Sequence, residues 1–166
     1  MKAKLAATFI FCIFFIFPKV VLAWQAKTVH IADGDTITVL RDGHEQVRIR
    51  VYGIDCPERK QPFGKRAKQF TSAMVGNHIV EVEPIDQDRY GRTVGRVFVA
   101  GKELSAELVR NGLAWVYRKY CRLGVCSQWA QAEAEARAAE RGLWADPSAA
   151  PPWRYRQAAR PHGDGA

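Results

Sequence analysis

Apolar and polar residues alternate along the first third of the chain. Val29 and Ile31, then Ile37 and Val39, then Val47, Ile49 and Val51 are each separated by a polar neighbour. That period of two is the pattern of half-buried strands. Asp33-Gly34 and Asp42-Gly43 punctuate the runs and predict tight turns, so this part reads as an antiparallel meander. The period changes after Pro62. Phe63, Ala67, Phe70 and Met74 share one helical face, and Gly76 is placed to end that helix. His78 to Glu83 and Thr93 to Val99 read as a fourth and a fifth strand. Beyond Gly101 the pattern turns helical. Leu104, Leu108 and Val109 form a short stripe that stops at Asn111-Gly112. Ser127 is placed to cap a further helix running from Gln128 to about Arg141, ended by Gly142.

No segment repeats. Strands first, one helix inserted after the third strand, and helices appended predict an α+β, β-rich domain. This order is compatible with a five-stranded barrel of the oligonucleotide-binding (OB) type carrying about three helices. Other small α+β folds share the pattern.

The N-terminus has a different character. Lys2 and Lys4 precede an apolar run from Leu5 to Phe17, and Val21-Leu22-Ala23 offers small residues for cleavage. That layout predicts a secretory signal peptide over residues 1–23. The run is broken by Pro18 and Lys19 and is short of the about 20 apolar residues of a membrane span. An uncleaved anchor is the alternative. The expected product begins at Trp24, is secreted or periplasmic, and has no stable membrane association. Residues 24–146 form the expected domain. Residues 147–166 are rich in Pro and Arg and read as a tail, with Pro151-Pro152-Trp153 able to fold back onto the body.

Charge narrows the partners. The chain carries a net +8; Lys2, Lys4 and Lys19 account for +3, leaving +5 on the expected mature protein. A basic surface favours polyanions such as nucleic acid or an anionic membrane, although solubility alone would explain this value. Cys56, Cys121 and Cys126 follow the signal segment. In an oxidising compartment Cys121 and Cys126, close in sequence with a Leu-Gly between them, are expected to form a local disulfide and leave Cys56 free. Zinc is the weaker alternative, because the spacings lack paired CxxC ligands and the histidines are scattered.

Three stretches carry the chemistry: Asp33-Gly34-Asp35-Thr36, then Arg50 to Glu58, then Asp88-Arg89-Tyr90-Gly91-Arg92. Carboxylates hold hard cations, and a planar guanidinium can hold two phosphate oxygens at once. A basic protein with both in this order points to phosphodiester chemistry. Each piece alone has a plainer reading: a hairpin turn for Asp33-Gly34-Asp35, a surface ion pair for Glu58, a solvated arginine for Arg50 or Arg92.

The ordered set, from about Lys27 to Trp144, resembles the staphylococcal-type nucleases, secreted calcium-dependent enzymes that cut DNA and RNA on an OB barrel. The resemblance implies a Ca²⁺ site built from Asp35, Asp55 and the backbone carbonyl of Cys56, where the best-known member has threonine. Asp33 matches an acidic position just outside the metal's ligands. The resemblance gives Glu58 the role of general base or water-positioning group, and makes Arg50 and Arg92 the charge clamps. Arg50 is chosen over Arg48 because its spacing to Asp55 fits. Arg89 and Tyr90 match contacts to the substrate's terminal phosphate, and Tyr117, beside Tyr120, matches a base-stacking tyrosine; core packing is the plainer role for both tyrosines. Trp115, Trp129, Trp144 and Trp153 read as core or interface aromatics. The implied activity is a monomeric endonuclease leaving 3′-phosphate ends. The rivals are a catalytically inactive nucleic-acid-binding OB module and a basic barrel that binds acidic glycans.

Overall fold

A computed structural model describes residues 22–159. Residues 1–21 lie outside the described residues, as do 160–166, so the expected signal peptide falls almost wholly outside them. The meander forms β1 (Trp24–Ile31), β2 (Thr36–Arg41) and β3 (Glu45–Val51). The β2–β3 turn places Asp42 and Gly43 at φ 50° and 77°, and the His44 N–H closes it on the Arg41 carbonyl at 3.1 Å, within a three-residue loop between Arg41 and Glu45. After the short β4 (Ile54–Asp55) and helix α1 (Gly64–Val75) come β5 (Ile79–Gln87) and β6 (Thr93–Val99). β1 pairs antiparallel with both β2 and β5, β2 with β3, and β5 with β6. A parallel pairing of β3 with β6, Arg50 opposite Val94, closes the ring into a five-stranded OB barrel.

Ile37, Val39, Ile49, Val51, Val80, Val82 and Val97 point inward and are fully buried. β1 departs from the expected alternation. Ala26 and Thr28 face the core, while Val29 is 47% exposed. The register with β2 shifts between Thr28 and His30, a bulge at Val29 that breaks the alternation and puts Val29 on a different face from Ile31, which packs against the core. Residues of α1 at helical spacing, Ala67, Thr71 and Val75, pack against the barrel, with Phe70 and Met74 flanking them. The left-handed residue after α1 is Asn77 at φ 61°, and Gly76 stays extended.

β7 (Lys102–Glu103) leads into α2 (Leu104–Arg110), and β8 (Trp115–Val116) then pairs with β4, Asp55 opposite Trp115. That small sheet ties the barrel mouth to the helical lobe. α3 (Val125–Ala138) begins at Val125 with Gly124 at its N-cap, before the expected cap; Ser127 donates its hydroxyl to the Gly124 carbonyl instead of capping. A 3₁₀ turn follows at Gly142–Ala145, and a fourth helix, α4 (Pro152–Ala158), forms within the stretch read as a tail. Among the described residues no helix is long and apolar enough to cross a membrane.

Gly34 is required for close approach. A Cβ there would lie 2.8 Å from both the Ala67 Cβ and the Cys56 Sγ, where α1 meets the β1–β2 turn. Thr71 donates its hydroxyl to the Gly34 carbonyl at 2.6 Å and locks the same contact. Gly34→Ala is expected to cost about 1–3 kcal/mol by overpacking. Gly124→Ala, with nothing within 4 Å of the added Cβ, should stay within about 0.5 kcal/mol of wild type. Urea unfolding of both variants checks the pair.

Candidate active site

The site lies where the β1–β2 turn, the end of β3 and the start of β4 converge. Asp35 leaves the turn buried. Its backbone carbonyl accepts from the Val51 N–H at 2.9 Å, and its Oδ2 accepts from the Cys56 N–H at 2.6 Å. The Thr36 hydroxyl lies 3.3 Å from its Oδ1. Asp55, on β4, is 2% exposed. Arg50 lies between them. Its Nη1 is 3.1 Å from Asp35 Oδ2, and its Nη2 donates to Asp55 Oδ1 at 2.9 Å. Burial opposes the charge on Arg50, but the two aspartates outweigh it and raise the guanidinium above its ordinary value. Arg48, two residues earlier on the same face of β3, is exposed.

Glu58 follows Pro57 on the β4–α1 loop. Its N–H donates to Gln61 Oε1 at 2.8 Å, which sets the turn. Its carboxylate joins the cluster through a residue the sequence reading passed over. Arg156 of α4 donates to Glu58 Oε1 at 2.6 Å and to Asp55 Oδ2 at 2.7 Å. The signal that could have found it is the Trp-Arg-Tyr-Arg run after Pro151-Pro152, cationic and aromatic residues behind a turn that can fold back.

Arg92 stands at the rim. Its Nε donates to Asp88 Oδ2 at 2.7 Å, and its Nη1 lies 3.5 Å from the Thr36 hydroxyl, one group removed from Asp35. Slight burial would raise the Asp88 carboxyl; the N–H and guanidinium of Arg92 and the Tyr90 N–H outweigh it and hold it below the usual range. Arg89 and Tyr90 occupy the β5–β6 hairpin tip. There Arg89 donates to the Tyr90 hydroxyl at 2.6 Å, and Tyr90 is 65% exposed. Tyr117 lies on the segment after β8, edge-on to Tyr120 at 4.8 Å and stacked on Trp153 at 4.9 Å with 8° between planes. Cys121 and Cys126 are bonded to each other. Their loop is pinned by the Tyr52 hydroxyl, which accepts from the N–H groups of Arg122 and Leu123.

The cluster is rich in buried negative charge. Burial, then the neighbouring Asp35, pushes the Asp33 carboxyl up to about 6. Burial also raises Asp55, with Arg156 and Arg50 working against the shift and Asp35 adding to it. Such crowding favours a bound cation. Among the described residues no three His, Cys, Asp or Glu side chains meet to hold an ion by themselves. Two carboxylates, Asp35 and Asp55, with backbone and water oxygens are a donor set of the kind a hard cation takes. The thiol of Cys56 is buried against Gly34 and α1, and burial pushes it well above its ordinary range, so the sulfur is a packing group.

Carboxylates and guanidiniums at the mouth of an OB barrel define a phosphodiesterase-type site. The family model for staphylococcal nuclease homologues matches residues 48–146, more than half of the chain, and the chain belongs to the staphylococcal nuclease family. It is 37% identical to a micrococcal nuclease of Shigella flexneri, with 96% of this chain and 98% of that protein covered. It is 41% identical to the protein ParB of Escherichia coli (81% and 82% covered). It is 38% identical to an uncharacterized endonuclease of Escherichia coli O157:H7 (80% and 84% covered). The protein is a nuclease, a phosphodiester hydrolase.

Arg50→Lys keeps the charge but cannot hold both aspartates and a phosphate oxygen with one planar group. Steady-state cleavage of single-stranded DNA should show kcat reduced about 10²–10³-fold, the worth of one lost electrostatic donor. Arg48→Lys should remain within a few-fold of wild type, which separates the two arginines of β3.

Proposed function

We propose that this nuclease is a secreted, calcium-dependent endonuclease that hydrolyses phosphodiester bonds of both DNA and RNA and leaves 3′-phosphate ends. The observation that supports the reading best is Arg50 bridging Asp35 and Asp55, with Glu58 drawn to the same point through Arg156. Asp35, Asp55 and the Cys56 carbonyl would hold the ion, and calcium in that set would supply positive charge and a polarised water. Glu58 accepts the proton as the water oxygen bonds to phosphorus. The P–O5′ bond breaks on the opposite side, and the leaving 5′ oxygen takes a proton from solvent. Negative charge grows on the equatorial phosphate oxygens, where Arg50 and Arg92 donate. For Arg92 this means exchanging part of its pairing with Asp88 for phosphate. Arg89 and Tyr90 receive a terminal phosphate, and Tyr117 stacks on a base, a contact tolerant of sequence.

The leader over residues 1–23, outside the described part save its last two residues, directs export to the periplasm or medium. The protein acts there as a monomer without lasting membrane contact.

Digestion of single-stranded DNA and of RNA with calcium, magnesium or chelator tests the reading. Calcium should support cleavage of both. Magnesium should support little, since it demands tighter octahedral geometry and dehydrates reluctantly. The products should carry 5′-hydroxyls that a polynucleotide kinase labels without prior dephosphorylation. Glu58→Gln should stay folded and bind calcium while kcat falls about 10²–10⁴-fold, the usual worth of a positioned base. Wild-type activity should rise toward alkaline pH, because calcium acidifies its water only weakly. Full activity in chelator would overturn the metal assignment, and wild-type rates for Glu58→Gln would remove its chemical role.

A further inference from the structure

The C-terminal segment lies beyond the residues matched by the family model, and its contacts fall on the groups that the proposed reaction needs. Arg156 donates to both oxygens of Asp55, at 3.3 and 2.7 Å, and to Glu58 at 2.6 Å. Trp153 covers a face of Tyr117 in a parallel stack. The Gln61 amide, which also accepts from the Glu58 N–H, donates to the Ala150 carbonyl at 3.1 Å. The segment thus meets β4, the β4–α1 loop and the residues after β8 at once.

The charges are telling. Asp35, Asp55 and Glu58 carry three negative charges, and Arg50 and Arg156 return two. Arg156 therefore satisfies part of the charge that a divalent ion would otherwise satisfy. While it holds Glu58, that carboxylate is a poorer proton acceptor. While Trp153 covers Tyr117, that face is closed to a base.

The seating is light. Pro152 is the buried residue of α4. A cleft of about 410 Å³ opens between α4 and the β4–α1 loop, lined by Glu58, Arg59, Lys60, Tyr155, Arg156 and Ala159. Arg156 itself is 42% exposed in its side chain. Polar and aromatic contacts without a continuous apolar face favour a segment that lifts at low cost.

We propose that residues 150–159 are a displaceable strap, with Arg156 competing with the cation for Asp55 and Glu58, and Trp153 competing with a nucleobase for Tyr117. The strap shuts the site when no ligand is present and leaves when calcium and a strand bind. The inference rests on the calcium-dependent reading for its metal arm. A ligand shifts such an equilibrium only by its preference for the open state, and closure lowers apparent affinity by the open fraction.

Calcium calorimetry and hydrogen exchange on the purified wild type, Arg156→Gln and Trp153→Ala test it. Calcium should bind Arg156→Gln about 10-fold tighter than wild type, the factor for a site open a tenth of the time. In the wild type, calcium should speed amide exchange across 152–159. In both variants exchange there should be fast before calcium is added. Equal affinities with a segment that stays protected would overturn the strap. So would weaker calcium binding by Arg156→Gln, which would make Arg156 part of the metal site. If no form binds calcium, the calcium reading falls separately. A short thymidine oligonucleotide then decides the strap: faster exchange over 152–159 in the wild type supports it, and unchanged exchange overturns it.

Discussion

Arg50 sits between Asp35 and Asp55, two acids 20 residues apart, one from the β1–β2 turn and one from β4. Each acid alone would be costly to bury as a charge, and so would the arginine. Together they offset that cost and fix the relative position of the β1–β2 turn, the end of β3 and the start of β4. The Cys56 N–H bonded to Asp35 ties the β4 side to the same point. Glu58 and Arg92 are placed by what hangs from this core: Glu58 by a three-residue step through Pro57, Arg92 by a hairpin whose root is held where β6 pairs with β3. The site is therefore no accessory to the barrel, since the ionic cluster stands where the ring closes.

The negative balance of the cluster links structure to chemistry. Burial, then Asp35 beside it, pushes the Asp33 carboxyl up to about 6, and burial raises Asp55 with Asp35 adding to the shift. Natural proteins keep such strain where function uses it. The same crowding of acids suits a cation and gives Arg156 a reason to fold in. Two occupants with one electrostatic demand give a nuclease a way of remaining closed until ligand arrives.

The helical lobe contributes position more than chemistry. β8 pairs Trp115 with Asp55, and Trp115 packs edge-on against Trp144. Buried Glu133 of α3 accepts the Val116 N–H. Tyr52 reaches from the barrel to hold the disulfide loop and packs against Trp129. Through these contacts the aromatic shelf of Tyr117 and Tyr120 is held beside the carboxylates, though it lies some sixty residues further along the chain.

Much of this was legible in the residues alone, for local reasons. The alternation of Ile37 and Val39 and of Ile49 and Val51 matches inward positions of β2 and β3, because period two is a property of the strand itself. Asp42-Gly43 forms its turn because only a pair tolerant of positive φ fits there. The resemblance to the nuclease family, through its spacing of arginine to aspartate, marked Arg50 as the arginine that meets both aspartates. Other features needed the tertiary structure. The bulge that puts Val29 and Ile31 on different faces of β1 depends on register with β2. Gly34 looked like a turn residue, but its lack of a side chain is needed by α1, which crosses it. Trp153 and Arg156 sat in a Pro- and Arg-rich stretch with no strong period. Their placement comes from long-range charge and stacking partners, Asp55, Glu58 and Tyr117, brought together only by the closed barrel and its lobe. Local pattern determines elements; which distant charges must neutralise one another is decided when the chain has folded.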